Sequence, residues 1–128
     1  MCSILGLDSD RDVGPTLVES LKKMEYRGYD SVGVAIKNDS SISVKKGVGK
    51  VHVVNNDLQM DKLSGHTGIG HTRWATHGKV TTENAHPHMC STNSIGVVHN
   101  GIIENYIELR EDLEKNHGII FKSTTDTI

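Results

Sequence analysis

Cys2 directly follows Met1, and that position gives a thiol a chemistry it has nowhere else in a chain. Removal of the initiator Met leaves one residue carrying both a nucleophile and a free α-amine, and such an amine can serve as base for its own side chain. The competing reading is a small Cys buried in a first strand. A second reactive grouping is His71-Thr72-Arg73-Trp74-Ala75-Thr76-His77-Gly78. Here Arg73 offers a planar, two-pronged grip on a carboxylate, and Thr76 and His77 can add donors. Seen alone, the same stretch reads equally as a surface Arg beside a core-packed Trp. The third is His99-Asn100-Gly101, where a carboxamide and a Gly N–H can point together at a developing oxyanion. Asn-Gly is also an ordinary turn.

Histidine offers a rival chemistry. Of 8 His, six (His66, His71, His77, His86, His88 and His99) fall between positions 66 and 99. His86-Pro87-His88 is spaced to share a strand face and suits a pair of metal ligands, with Cys90 as a third. No acidic residue accompanies the pair at a ligand spacing, and neither C-x-x-C nor H-E-x-x-H occurs, so the expectation is no metal. A His-rich metal-binding module stays open as an alternative.

These residues need elements to position them. Ser3 to Asp8 predicts a strand ending at polar Asp8-Ser9-Asp10. Val13, Leu17, Leu21 and Met24 recur at helical spacing, with Asp12 as cap, Pro15 early and Gly28 as stop. Ser31 to Lys37 alternates Val32, Val34 and Ile36 with Gly33 and Ala35, a strand whose small face admits another backbone closely. Lys37-Asn38-Asp39-Ser40 turns into a strand over 42–48, and 51–63 reads as a short helix. Gly68 to Trp74 predicts a strand and 75–93 a long functional loop. Ser94 to His99 predicts another strand, Ile102, Tyr106, Leu109 and Leu113 a helix stopped by Gly118, and Ile119 to Lys122 a further strand. The sum is an α+β layered fold with much antiparallel sheet.

Composition bounds the function. With 128 residues the chain is one domain or a piece of one, and its end just after a new strand predicts a truncated domain. A net charge of −2 without runs of like charge argues against a nucleic-acid or polybasic membrane binder. No apolar stretch approaches the ~18 residues of a membrane span, and no basic leader precedes Ile4. The expectation is a soluble, cytoplasmic protein whose two Cys form no disulfide framework.

Six segments together carry a resemblance. They are Met1-Cys2, Glu25-Tyr26-Arg27-Gly28-Tyr29-Asp30-Ser31, Gly70 through Gly78, Asn84-Ala85-His86-Pro87-His88, Val98 through Asn105, and Thr125-Asp126-Thr127. In this order the chain resembles the class II glutamine amidotransferases, which are N-terminal-nucleophile hydrolases. Arg73-Trp74-Ala75-Thr76 sets it closer to the sugar-aminating branch than to the amidophosphoribosyltransferases.

The resemblance implies a four-layer α/β/β/α sandwich, of which residues 1–128 are the N-terminal part of the glutaminase domain. The sugar-isomerase domains that bind fructose 6-phosphate are outside this sequence. It further implies that Cys2 attacks the amide of L-glutamine, that its α-amine is base and then acid, and that Asn100 and the Gly101 N–H hold the oxyanion. Arg27 supports the nucleophile; Arg73, Thr76 and His77 grip the substrate carboxylate; Asp126 pairs with its ammonium; Trp74 leads a lid. No cofactor is implied, and the full-length enzyme is expected to be a homo-oligomer. Ser3 stands where the family carries Gly, which predicts crowding beside the nucleophile. Another class II amidotransferase, a stand-alone amidohydrolase and an inactive glutamine sensor are the remaining alternatives.

Overall fold

The structure is a computed structural model, and it describes residues 1–75 and 78–127. The strands β1 (Ser3–Asp8), β2 (Ser31–Lys37), β3 (Ile42–Val48) and β4 (Thr67–Arg73) form one antiparallel sheet in the order β1-β4-β2-β3. Helices α1 (Gly14–Met24) and α2 (Val51–Leu58) lie against it, and short 3-10 turns follow them at Glu25–Arg27 and Met60–Lys62. Two further strands, β5 (His88–Met89) and β6 (Gly96–Val97), pair with each other, and α3 (Tyr106–His117) follows.

The alternation within β2 decides the layering. Val32, Val34 and Ile36 point to one face and join Val13, Leu17, Val18 and Leu21 of the α1 segment with Val51 and Val54 of α2 in a single buried cluster. Two Gly of β4 bring α1 close: a Cβ at Gly68 would lie 2.7 Å from Leu17 Cδ1, and one at Gly70 3.0 Å from Leu21 Cδ1. Each fully buried Leu of this interface contributes about 1.5–3 kcal/mol.

The opposite face of β2 is the small one, and it receives the second layer. A Cβ at Gly33 would stand 2.1 Å from the His86 carbonyl oxygen, while Ala35 Cβ lies 3.6 Å from where Gly96 would carry one. The approach foreseen from the Gly33/Ala35 alternation is therefore the contact between the main sheet and the segment carrying β5 and β6. Gly33→Ala is expected to destabilise the protein by about 1–3 kcal/mol, because the His86 backbone must move. Gly6→Ala is the control, since nothing lies within 4 Å of that position, and thermal denaturation distinguishes the two.

Several local expectations change. Val13, and not Asp12, is the N-cap of α1; the Asp12 carboxylate accepts from the Gly65 N–H at 3.0 Å and ties the loop before β4 to the helix start. The strand expected over 94–99 is confined to Gly96–Val97 because its partner β5 offers only two residues. Helix α3 starts four residues later than Ile102, and in the stretch ahead of it the Ile103 N–H donates to the Asp126 carboxylate at 2.6 Å. Over 119–122 no strand forms: among the described residues no other strand lies beside this stretch to complete its backbone hydrogen bonds, and Ile120 is 87% exposed.

Candidate active site

Antiparallel pairing of β1 with β4 places the N-terminus beside the end of β4, because Ser3 stands opposite Thr72. The next residues, Cys2 and Trp74, meet directly: the Trp74 N–H donates to Cys2 Sγ at 3.3 Å, and the thiol donates to the Trp74 carbonyl at 3.5 Å. A thiol receiving a backbone N–H is held in one orientation, half-exposed and facing a cavity of about 540 Å³. Ser3 does not crowd it. Thr72 also stands opposite Val32 of the core face, so Ser3 and Thr72 both turn toward α1, buried and away from the cavity.

Residues from five parts of the chain converge on this cavity. Cys2 lies ahead of β1, Arg27 ends the turn after α1, Arg73 ends β4, Asn100 and Gly101 follow β6, and Asp126 belongs to the last described segment. Arg73 is 4% exposed, and its Nη1 donates to the Lys79 carbonyl at 2.9 Å. A guanidinium fixed in the wall of a cavity has the geometry to grip a carboxylate in two places. At Gly101, φ is +156°, and a Cβ would lie 2.8 Å from His99 Nε2. The turn therefore needs Gly, and among the described residues the Gly101 N–H meets no acceptor. Arg27 Nη2 approaches Met1 Sδ at 3.0 Å, so Met1 itself helps line the cavity. The Trp74 ring, 44% exposed, packs edge-on against Tyr29 at 5.9 Å. Thr76 and His77, the other two residues expected to bind substrate, lie outside the described residues.

Behind the cavity, Asn84 has a role that its place in a motif does not disclose. Asn84 is 2% exposed; its Nδ2 donates to the Lys79 carbonyl at 3.0 Å and to Thr124 Oγ1 at 2.9 Å, and its Oδ1 accepts from the Thr124 N–H at 2.8 Å. One carboxamide thus joins the loop that holds Arg73 to the segment that carries Asp126. That segment is inserted through alternate buried hydroxyls, Ser123, Thr125 and Thr127, and Thr127 Oγ1 bonds His99 Nδ1 at 2.8 Å. Asn84→Ala leaves the Thr124 N–H and the Lys79 carbonyl without partners, an expected loss of about 1–3 kcal/mol. Limited proteolysis is expected to show faster cleavage within 118–127.

His71, His86 and His88 pack ring against ring. His71 and His86 stack at 4.2 Å with an interplanar angle of 16°, and His86 meets His88 at 4.4 Å. Burial lowers His71 and His88 to about 4, and pushes His86 further down, reinforced by its neighbour His71. All three are neutral near pH 7. Among the described residues no three His, Cys, Asp or Glu are grouped so as to hold a metal ion. Lys46 secures this group from β3, with Nζ donating to the Ala85 carbonyl at 2.7 Å and the Pro87 carbonyl at 3.1 Å. Cys90 is outside the cavity; hydrogen bonds from Ser94 and Thr92 hold its thiol down to about 6. No helix among the described residues is long and apolar enough to cross a membrane.

The chain is 54% identical over 127 residues to glutamine–fructose-6-phosphate aminotransferase (isomerizing) of Clostridium acetobutylicum, covering 99% of this chain and 21% of that protein. It is 53% identical to the namesake of Bradyrhizobium diazoefficiens, with 99% and 20% covered, and 51% identical to that of Methanothermobacter thermautotrophicus, with 99% and 21%. The chain therefore spans about a fifth of the length of these curated relatives. Among solved structures it is similar to glutamine phosphoribosylpyrophosphate amidotransferase from B. subtilis, with a TM-score of 0.81 at 27% identity over 99% of this chain and 27% of that one. A second structure, of the allosteric regulatory enzyme of purine biosynthesis, gives 0.82 at 27% identity over 99% and 28%. The mixed α/β fold of the N-terminal-nucleophile amidotransferases, expected from the sequence, is the one shared here. Residues 54–128, more than half the chain, match the family described as "Glutamine amidotransferase domain", and the chain belongs to that family.

Proposed function

We propose that this chain is the N-terminal part of a glutaminase domain that hydrolyses L-glutamine to glutamate and ammonia, Cys2 being the nucleophile. The observation that carries the reading is the convergence of Cys2, Arg73, Asn100, Gly101 and Asp126 on one cavity. A zwitterionic amino acid needs a cation and an anion held apart, and Arg73 and Asp126 supply them for the α-carboxylate and α-ammonium. Thr76 and His77 add donors to the Arg73 grip on the carboxylate, and the side-chain amide then reaches toward Cys2 beneath a lid led by Trp74.

Thioester formation follows from the same groups. With Met1 removed, the Cys2 amine takes the thiol proton as sulfur attacks the amide carbon, and the Asn100 amide and Gly101 N–H receive the negative charge on oxygen. The amine returns the proton to nitrogen, the C–N bond breaks and ammonia leaves. Water then attacks the thioester, giving glutamate and the free thiol. Arg27 fixes the geometry around Cys2. The similarity to glutamine–fructose-6-phosphate aminotransferases favours fructose 6-phosphate as the ammonia acceptor in the whole protein, bound by domains beyond this sequence.

The test is glutamine turnover by the full-length protein, read as equimolar glutamate and ammonia. Arg73→Lys keeps the charge and loses the fork; the expected loss of about 1.5–3 kcal/mol of binding raises KM for glutamine roughly 10- to 150-fold with kcat little changed. A KM that does not move removes Arg73 from the substrate site.

A further inference from the structure

His71 has no part in the scheme above, yet it is the most buried ionisable side chain at the cavity wall, 1% exposed. Its Nε2 lies 2.8 Å from Asn100 Oδ1, while its Nδ1 is buried without a partner among the described residues. A carboxamide oxygen only accepts, so Nε2 carries the proton and donates. The ring is neutral, burial having lowered it to about 4, and Nδ1 is therefore the bare nitrogen.

This tautomer matters because an Asn carboxamide has two nearly isosteric orientations, and only one presents an N–H₂ to the cavity. Turned over, the Asn100 Nδ2 donors would face the His71 Nε2–H, donor against donor. Moving the ring proton to Nδ1 would relieve that clash only by placing an N–H in an interior that offers it no acceptor. Stacking on His86 keeps the ring from rotating away. Resting on the glutaminase reading, we propose that His71 is a positioning residue whose Nε2–H holds Asn100 Oδ1 and so aims the Asn100 Nδ2 donors at the oxyanion.

The test is a cycle in the full-length protein with glutamine as substrate. Asn100→Ala is expected to lower kcat about 10²- to 10³-fold with KM nearly constant. His71→Leu, which removes the donor, is expected to lower kcat with KM unchanged and to add nothing on the Asn100→Ala background. His71→Gln, which retains an N–H, is expected to recover most of what Leu loses. If Leu and Gln behave alike, or if the Leu loss multiplies that of Asn100→Ala, His71 acts through general packing and the proposal is overturned. If Asn100→Ala turns over glutamine normally, the oxyanion assignment itself falls. Should His71→Leu not fold, ¹⁵N spectra of the unaltered protein decide: a protonated Nε2 with bare Nδ1 near pH 7 supports the proposal, and the other tautomer or an imidazolium overturns it.

Discussion

Cys2→Ala in the full-length protein is expected to lower glutamine hydrolysis by on the order of 10⁴–10⁶ while glutamine still binds. The size follows from what is removed: without sulfur no thioester forms, and Arg73, Asp126, Asn100 and Gly101 are left to hold a substrate that nothing attacks. Cys90→Ala serves as the control, because Cys90 lies outside the cavity on a turn of its own. Glutamate release by each variant, together with direct binding of glutamine, separates loss of chemistry from loss of folding. Normal turnover by Cys2→Ala would end the nucleophile assignment.

Retention of Met1 is the second large effect. A peptide nitrogen at Cys2 cannot take a proton from the thiol, so the base contribution of about 10²–10⁴ is lost. The structure adds a steric loss, since Met1 lines the cavity and its sulfur stands 3.0 Å from Arg27 Nη2. Protein carrying an uncleaved N-terminal extension, verified by mass spectrometry, is expected to show both a lower kcat and a higher KM than protein beginning at Cys2. Full activity with Met1 in place would contradict a role for the free amine.

Much of this site could be read from residue order because its parts sit where regular elements end. The strands at 31–37 and 42–48 follow from simple alternation and coincide with β2 and β3, and the small face of Gly33 and Ala35 foretold a close second layer. Residues whose placement depends on partners remote in sequence were harder to read. Asn84 stands in a segment that carries the resemblance, but nothing local shows its role, because it joins Lys79 to Thr124, 40 residues on. His71 could be counted but not assigned, since its meaning rests on a bond to Asn100, 29 residues away. The tie ahead of α3 was hidden in the same way: Ile102 fits the helical stripe, and nothing local shows that the next N–H, of Ile103, bonds the Asp126 carboxylate 23 residues on.

The clamp around Asn84 also sets an order of assembly. Bonds that place the nucleophile close a span of 72 residues, from Cys2 to Trp74, whereas those that bring Asp126 to the wall span 40, from Asn84 to Thr124, and 28, from His99 to Thr127. On a ribosome the sheet that positions the thiol can close once β4 has emerged, well before the segment carrying the anion. A nascent chain therefore passes through an interval in which sulfur and guanidinium face a groove that lacks its anionic side, which residues 123–127 then supply.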